Sequence, residues 1–187
     1  MPDGADVGVP RAASYSGGAR ADFETGDVLC FRGRGMGSRV IRWMTKSRYS
    51  HVGLAYLFEG RVYCLEAVGS GVRLMLMSEL MRHYEGGIDR FVVPDAAAEQ
   101  RARAIGFGFA QLGRMYDRAR LLRFAQTILL ERDMEQVKDD QQWFCSELVA
   151  AAYRAAGHPL LQLQPAYTSP EDLANSPRLR FAVALKP

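Results

Sequence analysis

The sequence predicts an α+β fold, a small antiparallel sheet or open barrel packed against helices. Three observations lead there. Residues 51–67 hold two alternating apolar runs around a Glu59-Gly60 turn, residues 96–112 and 144–156 carry helical character, and Gly or Pro residues separate the short strands from the helices. With 187 residues, 48% of them hydrophobic and 24% charged, the chain suits one globular domain with a sizeable core.

The elements follow in order. Residues 1–22 are rich in Gly, Ala, Ser and Arg and read as a flexible tail, so the folded domain is expected over 23–187. Thr25-Gly26-Asp27 is a turn feeding an apolar strand over 28–31. Residues 33–37 hold three glycines, a loop without the Gly-Lys-Ser/Thr ending of a phosphate-binding loop, and Ser38 then caps a helix through Met44. The hairpin 51–67 comes next, followed by a strand over 72–76, a helix from Ser78 and a strand over 88–93 that Pro94 ends. Helices are expected over 96–112 and 118–130, and residues 131–142 are a polar, acidic stretch. The last long helix, 144–156, stops at Gly157 with Pro159 beyond it. Ser169-Pro170-Glu171-Asp172 opens a short capped helix, and 181–185 reads as a closing strand.

Composition excludes several classes. The net charge of +3 is mild and the arginines are dispersed, so no nucleic-acid partner is expected. No run of about 18 apolar residues occurs, so no transmembrane span is expected. The N-terminal stretch lacks a signal peptide's apolar segment, and Cys30, Cys64 and Cys145 are an odd set without metal-ligand spacing. A cytoplasmic protein with free thiols is the expectation, a phage-borne protein or a delivered effector being compatible with it. No cofactor and no metal are expected, because a zinc site from His51, Cys64 and Cys145 would lack any closely spaced ligand pair.

The candidate chemistry starts at the hairpin. A Glu59-Gly60 turn sets Phe58 opposite Arg61, Gly53 opposite Glu66 and His51 opposite Val68. His51, Gly53, Cys64 and Glu66 then share one face, with His51 and Glu66 as diagonal neighbours about 7–8 Å apart at the backbone. The opposite face, with Val52, Leu54, Tyr56, Phe58, Tyr63 and Leu65, is apolar and belongs in the core. Trp143-Phe144-Cys145-Ser146-Glu147 places Cys145 at a helix N-terminus, where unpaired N–H groups and the helix dipole favour a thiolate. A nucleophile, a base and an orienting carboxylate make up the parts of a catalytic triad. Taken singly, each has an ordinary reading: a small buried cysteine, a polar strand-start histidine, a solvated glutamate. Their compatible placement is what points to catalysis.

The segments Gly26-Asp27-Val28, Tyr49-Ser50-His51-Val52-Gly53, Leu65-Glu66-Ala67 and Phe144-Cys145-Ser146-Glu147-Leu148 resemble the permuted NlpC/P60-type papain-like proteins of the YiiX/YebB-like group. These are similar, more distantly, to the lecithin:retinol acyltransferase-like enzymes. The histidine precedes the cysteine, as in the permuted group, and the similarity covers most of 25–185, including Thr168-Ser169-Pro170-Glu171-Asp172-Leu173. The resemblance implies a circularly permuted papain-like fold with Cys145 as nucleophile, His51 as base and Glu66 as third residue. Tyr49, Ser50, Cys64, Tyr116 and Ser146 are the candidate substrate-binding residues, Tyr116-Asp117 resembling a Tyr-Asp pair that precedes the cysteine helix in the group. The charged stretch 126–139 has no match and reads as a lid or partner-binding helix.

The expected reaction is cleavage of an amide in a peptide or muropeptide-like substrate through a thioester. Acyl transfer or acyl hydrolysis on a lipid is the alternative on the same triad, and the Met/Leu-rich residues 74–81 would suit an acyl chain if exposed, though such a stretch is more often core. A non-catalytic peptide- or lipid-binding module is the third reading.

Overall fold

The structure is a computed structural model in which residues 22–35, 47–114 and 144–186 are described. Six strands build one antiparallel sheet: β1 (Val28–Gly33), β2 (His51–Phe58), β3 (Arg61–Val68), β4 (Gly71–Leu76), β5 (Gly86–Val92) and β6 (Arg180–Lys186). Their spatial order is β4-β3-β2-β1-β5-β6, an open sheet. Helix α1 (Met77–His83) follows β4 and α2 (Ala98–Phe109) follows β5. Helices α3 (Cys145–Ala155) and α4 (Pro170–Ala174) precede β6. The chain is therefore α+β as expected, and of the two expected forms, sheet or open barrel, it takes the sheet.

The β2–β3 hairpin closes as its turn chemistry requires. Glu59 has φ 47° and Gly60 φ 70°, so both turn residues are left-handed, the geometry whose twist matches the flanking strands. The register then runs from Phe58↔Arg61 to Leu54↔Leu65 and stops there, short of the start of β2 at His51. Beyond that point β3 stays paired with β4, through Glu66↔Arg73 to Val68↔Gly71.

Both faces of the sheet are covered. Val28, Cys30, Val52, Leu54, Leu65 and Ala67 form a first core with Ala104 and Ile105 of α2 and Leu148, Val149 and Ala152 of α3. Leu29, Phe31, Ala55, Val62 and Cys64 form a second core with Met77 and Leu80 of α1. Alternation alone assigned only the first of these faces to the interior. The second is buried because the Met/Leu-rich stretch folds back over it, with Met75 and Met81 packed at its border. Of that stretch Met77 and Leu80 are buried core, as its composition favoured, while Leu74, Met75, Leu76 and Met81 are half-buried.

Helix α3 presents its apolar side to the sheet and to α2, and every residue from Cys145 to Ala150 is buried. At its far end the Gly157 N–H bonds the Arg154 carbonyl and the His158 N–H bonds the Tyr153 carbonyl. This crossed pair is a Schellman stop, and Gly157 at φ 76° supplies the left-handed residue it needs. The expected helices from Ser38 and over 118–130, the stretch 126–139 and most of the tail 1–22 lie outside the described residues. No described helix is long and apolar enough to cross a membrane.

Candidate active site

Cys145 is the first residue of α3, and no side chain caps the helix N-terminus that begins at Phe144. The backbone N–H groups of Val52 and Ser146 donate to its sulfur, and the His51 imidazole hydrogen-bonds it. The end of the β2–β3 ladder accounts for the Val52 donor. Past Leu54↔Leu65 the two strands are no longer paired, and the N–H of Val52 serves the cysteine instead. A helix lying on one face of the sheet thus reaches a histidine that belongs to the other face.

His51 turns its Nε2 to Glu66, whose Oε2 lies 2.7 Å away. Nδ1 is therefore the nitrogen left for Cys145. The ring packs on Phe31 at a centroid distance of 5.1 Å, which limits its rotation. Glu66 is only 3% exposed at its side chain, and its other oxygen is held by Arg73. Arg73 Nε and Nη2 donate to Oε1 at 2.9 and 2.7 Å, a two-pronged contact across the β3–β4 pair. The sequence reading missed Arg73. The signal was present, because a tight turn at Gly69-Ser70 after the strand containing Glu66 sets Arg73 directly opposite it.

The electrostatics favour a charge-separated pair. Burial raises the Cys145 thiol, but the His51 charge and hydrogen bond, with the two backbone donors, overcome it and hold the thiol below its ordinary 9.0. Burial alone would lower His51, yet the Cys145 thiolate and Glu66 outweigh it and push the imidazole up to about 10. Burial likewise raises Glu66, while His51 and Arg73 bring it below 4.5. The arrangement therefore favours the charged form of each group, a thiolate beside an imidazolium beside a carboxylate.

The remaining candidates are placed as follows. Tyr49 is fully buried, and its hydroxyl donates to Asp89 Oδ2 at 2.8 Å. Ser50 Oγ donates to the Phe31 carbonyl and accepts from the Gly33 N–H. Ser146 Oγ donates to the Thr168 carbonyl at 2.5 Å. Cys64 is buried in the second core with its sulfur 4.0 Å from Glu66 Oε2. The polar groups of Tyr49, Ser50 and Ser146 thus bind the protein itself, and their visible work is to fix the segments around His51 and Cys145. Tyr116 lies outside the described residues. A cavity of about 800 Å³ opens elsewhere, lined by Thr25, Tyr56, Arg101, Ile105 and Phe109 among others, and none of Cys145, His51 or Glu66 borders it.

The fold has relatives. The chain belongs to the family of permuted papain-like amidase enzymes described as YaeF/YiiX, C92 family, whose model matches residues 22–181. Among curated proteins it is similar to the probable lipoprotein peptidase YaeF of Escherichia coli strain K12, 28% identical over 193 residues, covering 89% of this chain and 68% of that one. Among solved structures it is similar in fold to the metalloprotein YiiX of Escherichia coli O157:H7, with a TM-score of 0.67 and 22% identity over 88% of this chain and 98% of that one. The metal is said of that protein. Among the described residues here, no group of three or more His, Cys, Asp or Glu side chains is arranged to hold one.

Proposed function

We propose that this chain is a cysteine-dependent amidase that cleaves an amide bond in a peptide or muropeptide-like substrate, with Cys145 as nucleophile, His51 as acid and base, and Glu66 as the orienting carboxylate. The observation that carries the reading is the continuous line from Cys145 through His51 to Glu66, with the Cys145 thiol held low and the His51 imidazole held high. Membership in an amidase family and the similarity to a probable peptidase support an amide as the bond attacked.

The Cys145 thiolate attacks the carbonyl carbon, forming a C–S bond while charge moves to the carbonyl oxygen. The uncapped N-terminus of α3 is suited to stabilise that oxyanion. As the C–N bond breaks, His51 gives its proton to the departing amine and a thioester remains on Cys145. His51, now neutral, takes a proton from water, whose oxygen attacks the thioester. Carboxylate is released and the thiolate–imidazolium pair returns. Glu66 stabilises the imidazolium and fixes which nitrogen faces the sulfur.

The test is the pH dependence of iodoacetamide alkylation at Cys145, located by mass spectrometry, in the native protein and in His51→Ala. Native Cys145 is expected to react at lower pH than a free thiol, and His51→Ala to move that limb up toward about pH 8.5, the value of a free thiol. The sign follows from the two pKa directions. Reactivity is lost as pH falls through the lowered Cys145 value, and amide cleavage is lost again as pH rises through about 10, where His51 no longer carries the proton the amine needs. A native Cys145 that titrates as an ordinary thiol removes the chemical basis of the proposal.

A further inference from the structure

Arg73 lies outside the triad, yet it makes the most directional contact that any side chain makes with Glu66. Its two nitrogens engage Oε1 at 2.9 and 2.7 Å, while Oε2 is left to His51 at 2.7 Å. A carboxylate held at one oxygen by a planar fork cannot rotate about its terminal bond without breaking both contacts, so its second oxygen is presented in a fixed direction. Glu66 sits on β3 opposite Arg73, beyond the point where β2 leaves the ladder. The β3–β4 ladder therefore anchors Glu66 where no β2 backbone bond would.

We propose that Arg73 is a positioning residue of the catalytic site: its fork fixes the plane of the Glu66 carboxylate and sustains its charge, so that Oε2 meets His51 Nε2 and, through it, the Cys145 thiolate. This rests on the amidase reading of the same site and deepens it.

A purely structural role for Arg73 predicts something different. Its side chain is 43% exposed and Glu66 only 3%, so from the arginine's side the pair is a half-solvated strand contact of small worth. The buried partner makes the difference. Glu66 is taken out of water, and burial is the largest single influence acting against its ionisation, with His51 and Arg73 the two groups that reverse it. The other charged or titratable groups around Glu66 are accounted for among the described residues. Cys64, on its own strand, lies 4.0 Å away and is itself raised well above an ordinary thiol by burial, so it stays neutral. Cys145 of α3 acts through His51. On α1, which packs against β3 and β4, Arg82 and His83 pair with Glu79 on the exposed side. Among the described residues, loss of Arg73 therefore leaves His51 as the positive neighbour of a buried carboxylate.

The experiment uses the full chain and the alkylation profile of Cys145, with Arg73→Gln, Arg73→Lys, Glu66→Gln and the Arg73→Gln/Glu66→Gln double variant, alongside thermal unfolding of each. Arg73→Gln is expected to raise the acid limb of Cys145 reactivity by about one pH unit, the lower end of what an adjacent arginine does to a carboxylate. Arg73→Lys, which keeps the charge and loses the fork, is expected to raise it by less. In the Glu66→Gln background, Arg73→Gln should add no further shift, because its effect travels through the carboxylate. Arg73 variants whose Tm falls while the limb superimposes on the native one would overturn the proposal, as would an equal shift with and without Glu66. If Arg73→Gln does not fold, an unshifted limb in Arg73→Lys overturns it by itself. The two readings fail separately: an ordinary thiol in the native protein defeats the amidase and this role with it, whereas an activated, His51-dependent thiol that ignores Arg73 defeats this role alone.

Discussion

Gly53 shows how one missing side chain makes room for the candidate site. A Cβ at this position would lie 2.6 Å from Cys64 Sγ, 3.0 Å from the Leu65 carbonyl oxygen and 3.3 Å from Glu66 Cβ. The strand can therefore carry His51 past Glu66 only because nothing projects from Gly53 between them. Gly53→Ala is expected to cost about 1–3 kcal/mol, the range for overpacking a filled interior, and to raise the acid limb of Cys145 alkylation by moving Glu66 off His51. Denaturant unfolding together with the alkylation profile checks both halves. An alanine variant with native stability and native pH dependence would show that β3 yields freely at this point and that the steric reading of Gly53 is wrong.

Among elements, α3 matters most because its two ends do different work. The N-terminal end carries Cys145 with its backbone donors, and the C-terminal end is held by the Schellman stop at Gly157. Gly157→Ala would force alanine into φ near 76°, a left-handed conformation costing about 1 kcal/mol, with open space around the new methyl group. The expected result is that much destabilisation in urea and an unchanged alkylation profile, since three helical turns separate the cap from the sulfur. A change in Cys145 reactivity would mean that the helix shifts as a rigid rod when its stop is removed. The capped start of α4 has a related task. Ser169 accepts from the Asp172 N–H, and Glu171 accepts from the Arg48 N–H at 2.6 Å, so this short helix ties down the segment leading into His51.

Across the whole molecule, a buried charge network joins the start of the sheet to its helices. Asp27 is fully buried, with Arg90 Nε of β5 at 3.3 Å and Arg101 Nη1 of α2 at 3.4 Å. Next to it the Tyr153 hydroxyl of α3 donates to the Gly26 carbonyl at 2.5 Å. Arg101 also bonds the Val93 carbonyl, so one guanidinium links the first strand to the end of β5. Asp27→Ala would take the carboxylate away from buried Arg90 and leave Arg101 with Glu24 alone, 3.1 Å away at the surface, and a loss of about 3 kcal/mol in unfolding free energy is expected by denaturant titration. A variant as stable as the native chain would show that water replaces the carboxylate at no cost. The pH signs of the buried carboxylates are opposed. Burial outweighs the arginines and raises Asp27, so its contribution favours the protonated fold and fades as pH rises through its folded value. Glu66 is lowered, so its contribution is complete above 4.5 and is lost as pH falls through its folded value.

Local chemistry made much of this legible in the sequence. Alternation and a two-residue turn located the β2–β3 hairpin and its register as far as Leu54↔Leu65, though the expected pairings of Gly53 with Glu66 and His51 with Val68 do not form, and Gly157 with Pro159 marked the end of α3. The same register put His51 and Glu66 on one face, because side chains alternate strictly along a strand. Arg73 was equally within reach of that logic, one turn further on. Three features depended on tertiary structure. The second core forms because α1 folds back over a face that alternation could not assign. The meeting of Cys145 with His51, 94 positions apart by their numbers, requires α3 to lie over the first face and the β2–β3 ladder to end at Leu54↔Leu65. The depressed thiol and raised imidazole exist only once those charges share a space without water. Strand faces, turns and helix ends are decided by neighbours a few residues apart, so the sequence determined them by itself. Proximity between distant segments, and the burial that sets their charges, depend on how every element packs, and only the folded chain decides those.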